Sequence, residues 1–273
     1  MSEGEDILYE VKGKTAVITL NLGKRLNALN GPQYQLLAEL VQRADEEKDT
    51  VLTLIQSTGR FFSAGANISD LGDADASEVF SYPYWLKNFT GRNVWITDVF
   101  MNHKKVLACA LNGPVIGLSA ALVCLCDLIY VNDEEKFYFL APFSNLGLVA
   151  EGGASATMFM RLGWAKASEA LLFSRPIPGT ILEKGGFFNK SYKDQNLSVE
   201  AFNEQVRKDL EGQFENLYYP SIFDNKQLLK VNRDAQINAA SSTESVIGLR
   251  RWVAGVPQER FMKLAQKDIK HKM

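Results

Sequence analysis

The chain is expected to be an α/β protein, and two observations carry that expectation. Between residues 14 and 131, apolar runs of strand length alternate with glycine-bearing turns and stretches of helical spacing, the order of βα units. After Gly152 the strand-like runs stop and helical patterns follow one another toward the C-terminus. At 273 residues, 46% hydrophobic and 23% charged, the chain can bury a full core.

From Lys14 to Asn21 the run Thr-Ala-Val-Ile-Thr-Leu reads as a strand leaving a hairpin at Lys12-Gly13-Lys14. Asn30 caps a helix in which Leu36, Leu37, Leu40, Val41 and Ala44 recur at helical spacing and Pro32 fits the first turn. Val51 to Ser57 is a buried strand ending at a first glycine turn, Ser63-Ala64-Gly65-Ala66-Asn67. Val106 to Leu111 is another, ending at a second turn, Asn112-Gly113-Pro114-Val115-Ile116-Gly117. Ser119 to Cys126 reads as a small-residue helix, and Leu128 to Val131 as a strand. Ala154 to Leu162, Ala165 to Phe173, Ser198 to Leu217, Asp224 to Ile237 and Gln258 to Gln266 read as helices. An α/β core over residues 1–190 and a helical region over 191–273 follow, joined through the polar segment Lys190 to Leu197.

Formal net charge is −2, so no overall electrostatic pull toward nucleic acid or a membrane surface is expected. The acidic start reads as neither secretory signal nor presequence, and no apolar run has bilayer-spanning length. Cys109, Cys124 and Cys126 lie in apolar stretches and fit a reducing compartment; with only His103 and His271 beside them, no metal site is expected.

The two turns and one glutamate suggest a chemistry. Two backbone turns can aim two N–H groups at one oxygen while a single carboxylate, Glu151, works on the adjacent carbon. That is the apparatus for making and quenching an enolate. Glu151 follows the mainly apolar stretch Phe137 to Ala150, so desolvation should raise its pKa, against the dipole of a helix starting near Gly152.

Four segments in order make the chain similar to the crotonase (enoyl-CoA hydratase/isomerase) superfamily over roughly residues 10 to 185. They are Leu26-Asn27-Ala28-Leu29, Gly59 through Asn67, Asn112-Gly113-Pro114 through Cys126-Asp127, and Asn145-Leu146-Gly147-Leu148. The resemblance implies a spiral of repeated ββα units with a helical C-terminal trimerisation region, a homotrimer or homohexamer. It implies an acyl-CoA substrate and no separate cofactor, coenzyme A being part of the substrate. The family's oxyanion hole matches the N–H groups of Ala66 and Leu118. Lys24, Arg25 and Ala28 match the region that meets coenzyme A, with Ala64, Asn67 and Ile68 around the first turn. Asn93 is expected either to hold a water near Glu151 or to be an ordinary polar residue of its helix. Phe100, Leu125, Met158 and Phe159 are candidates for the acyl pocket.

The departures from the family pattern narrow the activity. Hydratases of the family carry two glutamates, which would fall at Ala121 and near Phe143; neither position is acidic. The placement of Glu151 resembles the Δ3,Δ2-enoyl-CoA isomerases instead, most of all the fungal peroxisomal type. The alternatives are a Δ3,5-Δ2,4-dienoyl-CoA isomerase, which in the family uses paired acids, or a catalytically silent CoA binder. His271-Lys272-Met273 resembles a loose peroxisomal address; without it a cytoplasmic location is expected.

Overall fold

The structure is a computed structural model that describes residues 6–67 and 78–270. Among these residues the strands are β1 (Ile7–Lys12), β2 (Thr15–Leu20), β3 (Leu52–Ser57), β4 (Val106–Leu111), β5 (Val115–Ile116), β6 (Leu128–Val131), β7 (Tyr138–Leu140), β8 (Ile177–Pro178) and β9 (Lys190–Ser191). The helices are α1 (Gly31–Glu46), α2 (Tyr82–Trp85), α3 (Arg92–Asn102), α4 (Gly117–Leu125), α5 (Ala154–Phe173), α6 (Gly179–Lys184), α7 (Val199–Gln213), α8 (Tyr219–Val231), α9 (Asp234–Val253) and α10 (Val256–Ala265).

The expected α/β architecture is present. β1 and β2 form an antiparallel hairpin around Gly13, and β2, β3, β4, β6 and β9 then pair in parallel, giving a sheet in the order β1-β2-β3-β4-β6-β9. Alternation along the central strands explains why they sit in the middle. Leu52, Leu54, Val106, Ala108 and Ala110 face one core. Ile55, Leu107, Cys109 and Leu111 face the other. With both faces covered, β4 (Val-Leu-Ala-Cys-Ala-Leu) reads as a continuous apolar run rather than an alternating one.

One face is covered by α1, α3, α4 and α5. Asn30 caps α1 through a reciprocal pair: its side chain accepts from the Gln33 N–H, and the Gln33 side chain accepts from the Asn30 N–H. Leu37, Leu40, Val41 and Ala44 of that helix are buried as expected, whereas Leu36 is exposed. The other face is covered by α7, whose Phe202, Val206 and Leu210 recur every four residues. Each such burial contributes ~1.5–3 kcal/mol. α5 bends at Gly163, which leaves helical geometry with φ 68° and ψ 168°, so two helices meet there.

Two expectations need correction. Strands do not end at Gly152: β8 pairs with β7 in a small second sheet, and β9 closes the edge of the large one. Both are two residues long and carry no period to read. Nor is Asp224 to Ile237 one helix, since α8 ends at Val231 and α9 begins at Asp234. Leu228, Leu229 and Val231, at the end of α8, are exposed. Lys226 and Lys230 occupy the buried face, and Lys226 Nζ donates to the Lys105 carbonyl and to Asp127 Oδ2, each at 2.6 Å.

Candidate active site

The first glycine turn is built on the loop that precedes α1. Asn27 is fully buried; its Nδ2 donates to the carbonyls of Thr58 (2.7 Å) and Phe61 (2.9 Å), and its Oδ1 accepts from the Leu22 N–H at 2.8 Å. The Ala64 N–H donates to the Leu26 carbonyl, the Leu29 N–H to Gly65 and the Asn67 N–H to Leu29, at 2.8–2.9 Å. The second turn is laced to the first: the Ile116 N–H donates to the Ser63 carbonyl at 3.0 Å. Gly65 sits at φ +85°, and a Cβ there would stand 2.8 Å from the Ile116 carbonyl oxygen. Glycine is therefore required where the two turns touch.

Behind this seam lies a buried hydroxyl chain that sequence reasoning missed. Ser63 Oγ donates to the Asn27 carbonyl at 2.7 Å and accepts from the Gly65 N–H at 3.1 Å. It also shares a hydrogen with Ser119 Oγ (2.8 Å), which in turn meets the Tyr34 hydroxyl at 2.9 Å. Ser63 stands three residues before Ala66 and Ser119 one after Leu118, so the hydroxyl chain ties both residues expected to form the oxyanion hole to one scaffold. Among the described residues, none accepts from the Ala66 or Leu118 N–H. Leu118 lies in the first turn of α4, where N–H groups lack intrahelical partners and carry the positive end of the helix dipole.

Glu151 enters from the loop before α5. It is followed by Gly152 and Gly153, both in the left-handed region at φ +70° and +73°. A Cβ on Gly152 would lie 3.1 Å from both Ala121 Cβ and Leu118 Cδ1. The position where family hydratases carry their first glutamate thus holds a methyl group packed against this loop, and Phe143 is buried as well. Asn93 Nδ2 donates directly to Glu151 Oε2 at 2.6 Å. Asn93 is thus bonded to the carboxyl itself and is more than an ordinary polar residue of its helix. Arg92 Nε donates to Asn93 Oδ1 at 3.1 Å, so the guanidinium acts on the carboxylate through the amide and through space. A π-helical turn, Leu86–Gly91, immediately precedes Arg92.

One side of Glu151 opens on a cavity of about 220 Å³. Elsewhere protein encloses the carboxyl, and this desolvation pushes its pKa up to about 7; Arg92 and the Asn93 hydrogen bond pull down, and Glu244 adds to the rise. Desolvation dominates, as expected. Ala66, Asn67, Leu118 and Glu151 all line this cavity, and Glu151 is the only carboxylate among the described residues that do. The acyl-pocket candidates Phe100, Leu125, Met158 and Phe159 do not line it. Phe159 is exposed, and the other three are packed into the core. The apolar wall is instead Tyr84, Trp85, Phe89, Leu148, Trp252 and Phe261. Trp85 and Trp252 stack at 4.2 Å, so α9 closes the cavity over α2.

Lys24 and Arg25 are exposed on a tight turn at Gly23–Arg25, and Ala28 follows with its N–H donating to the Arg25 carbonyl. Through the Ala64–Leu26 bond that turn abuts the first glycine turn, but Lys24, Arg25, Ala28 and Ala64 lie outside the cavity lining. Ile68 and His271-Lys272-Met273 lie outside the described residues. Arg92 could have been noticed beside Asn93, as a second polar residue on a mostly apolar helix. Trp252 and Phe261 carry no local signal, since only the fold brings them to the site.

Comparison with known proteins gives a consistent picture. Residues 10–211 match the enoyl-CoA hydratase/isomerase family. A 3,2-trans-enoyl-CoA isomerase of Saccharomyces cerevisiae is 42% identical over 99% of this chain and 98% of its own length. A Delta(3,5)-Delta(2,4)-dienoyl-CoA isomerase of Pyricularia oryzae is 38% identical over 97% and 98%. A crystal structure of an enoyl-CoA hydratase/isomerase from Pseudoalteromonas atlantica superposes with a TM-score of 0.81 at 20% identity, covering 98% of this chain and all of that one, a likeness of fold.

Proposed function

The chain belongs to the enoyl-CoA hydratase/isomerase family, and from that premise we propose that it is a Δ3,Δ2-enoyl-CoA isomerase of unsaturated fatty-acid oxidation. It converts cis- or trans-3-enoyl-CoA to trans-2-enoyl-CoA. The observation that carries this reading is a single carboxylate among the described residues, Glu151, in a cavity that Ala66 and Leu118 also line. Asn93 occupies Oε2 and leaves Oε1 for the substrate. Glu151 takes the C2 proton. The C2–H electrons form the thioester dienolate, and its oxygen is stabilised by the two N–H donors. The dienolate then collapses with protonation at C4 by the same carboxyl group: the C3=C4 double bond is lost and C2=C3 is gained. A base whose pKa lies near neutrality both accepts and returns the proton efficiently.

Hydration would need a second carboxylate to orient water, and Ala121 and Phe143 stand where the family's hydratases carry theirs. Movement of two double bonds uses paired acids in the family. Glu244, the nearest further acid acting on Glu151, spends its oxygens on backbone N–H groups. The test is product analysis with 3-hexenoyl-CoA, 2-hexenoyl-CoA and 3,5-octadienoyl-CoA supplied separately. Rapid conversion of the first alone is expected; a 3-hydroxyacyl product from the second, or faster use of the third, would overturn the assignment.

No separate cofactor takes part. Lys24 and Arg25 meet the phosphates of coenzyme A by charge, Ala28 and Ala64 line its approach, and Asn67 and Ile68 hold the pantetheine side. The protein assembles as a homotrimer or homohexamer. Leu217 and Tyr218, with Leu228, Leu229 and Val231 on α8, form an exposed apolar surface that supports this, and light scattering of the purified protein tests it. Among the described residues no helix is long and apolar enough to cross a membrane. Import into peroxisomes through His271-Lys272-Met273 is tested by a fluorescent fusion with and without that tripeptide.

A further inference from the structure

α5 has no cap of its own. Its N-cap residue is Gly153, which carries no side chain to accept from the first-turn N–H groups. Glu244, buried on α9, supplies the acceptors from across the fold: Oε2 accepts from the Gly153 N–H at 2.8 Å and Oε1 from the Ser155 N–H at 2.7 Å. The same helix presses on the loop through Ile237, whose Cγ2 would stand 2.9 Å from a Cβ on Gly153. From the opposite side α4 crowds Gly152, where a Cβ would lie 3.1 Å from Ala121 and Leu118. The segment Glu151-Gly152-Gly153 is thus clamped between the oxyanion helix and a C-terminal helix, with Glu244 as the polar jaw.

We propose that Glu244 is a positioning residue for the base: its two carboxyl oxygens pin the backbone two and four residues beyond Glu151. This rests on Glu151 acting as the base. Four groups face the Glu151 carboxyl: Tyr34 from α1, Arg92 and Asn93 from α3, and Glu244 from α9. Arg92 and Asn93 favour the carboxylate, whereas burial and Glu244 oppose it. Glu244 therefore offsets part of the cationic pull of Arg92 and keeps Glu151 basic enough to abstract a proton from carbon.

The experiment follows the carboxyl-carbon resonance of Glu151, identified by its loss in Glu151→Gln, through a pH titration of wild type, Glu244→Gln and Glu244→Asp. Turnover of trans-3-hexenoyl-CoA is measured on the same samples. Glu244→Gln removes the charge and keeps one acceptor; the Glu151 titration should move to lower pH by about half a unit, and the acid limb of kcat/KM with it. Glu244→Asp keeps the charge on an arm one methylene shorter; kcat should fall about tenfold while the titration stays near wild type. An unmoved titration in Glu244→Gln would overturn the proposal. If that variant does not fold, wild-type kcat in Glu244→Asp would overturn it, and the lowered kcat with unmoved titration would support it. Were the wild type to leave 3-hexenoyl-CoA unchanged, the isomerase assignment would fall, while the titration would still decide the role of Glu244.

Discussion

Removing the Asn93 side chain should displace the pH dependence of the reaction rather than lower it uniformly. Asn93 Nδ2 donates to Glu151 Oε2 at 2.6 Å, and a hydrogen bond to an ionised group is worth ~1.5–3 kcal/mol when buried. Because Glu151 opens on the cavity, solvent screens part of this and the lower figure applies. About 1.5 kcal/mol is about one pH unit. In Asn93→Ala the pKa should therefore rise from about 7 to about 8. At pH 7 the ionised fraction would fall from about a half to about a tenth, a roughly fivefold loss in kcat/KM. Above about pH 9 the variant should approach the wild-type rate. The assay is kcat/KM for trans-3-hexenoyl-CoA from pH 5.5 to 10, which reports the free enzyme. A loss of equal size at every pH, or an acid limb displaced downward, would refute the reasoning.

Three further outcomes are expected. The carboxyl of Glu151 has its pKa raised from 4.5 to about 7 in the folded protein. Its contribution to stability is fully present below pH 4.5 and is lost as pH rises through 7. Glu151→Gln should therefore gain stability over wild type between pH 4.5 and 8, by ~1–3 kcal/mol after allowance for screening from the cavity; melting temperatures at the two ends read the change, and a constant difference would contradict it. Gly152→Ala places a Cβ 3.1 Å from Ala121 and Leu118 at a φ of +70°. It should cost ~1–3 kcal/mol in denaturant titration and about 10–100-fold in kcat, so wild-type kcat would argue that the loop position is immaterial. Lys24→Ala with Arg25→Ala should raise KM at unchanged kcat, by less at about 0.5 M salt than at about 0.05 M; a salt-independent effect would point away from phosphate contacts.

The parts of the fold legible in the sequence were those whose signal is local. β4 and β6 begin and end where their apolar runs do, and Asn30 announces α1 by a cap that works at its own position. The paired turns were legible for a similar reason, since left-handed backbone at Gly65 and Gly117 leaves a residue-level mark. Glu151 stood out as an acid beside two glycines after an apolar stretch. What escaped depends on distant partners. Leu228, Leu229 and Val231 of α8 are apolar and yet exposed, while Lys226 and Lys230 of the same helix are buried on Asp127 and Asp234. The cavity wall joins Trp85 to Trp252 and Phe261, residues brought together only when α9 and α10 fold back over α2. The direct grip of Asn93 on Glu151 likewise joins residues of two elements, α3 and the loop before α5, that only the fold brings together.

The central claim is that one carboxylate carries the proton from C2 to C4, and it is tested most directly by turnover of trans-3-hexenoyl-CoA by wild type and Glu151→Gln. Rapid formation of trans-2-hexenoyl-CoA by the wild type is expected. In the variant it should fall by about three orders of magnitude or more, with binding of the acyl-CoA retained. Equal rates in the two proteins would remove Glu151 from the chemistry and contradict the single-base mechanism.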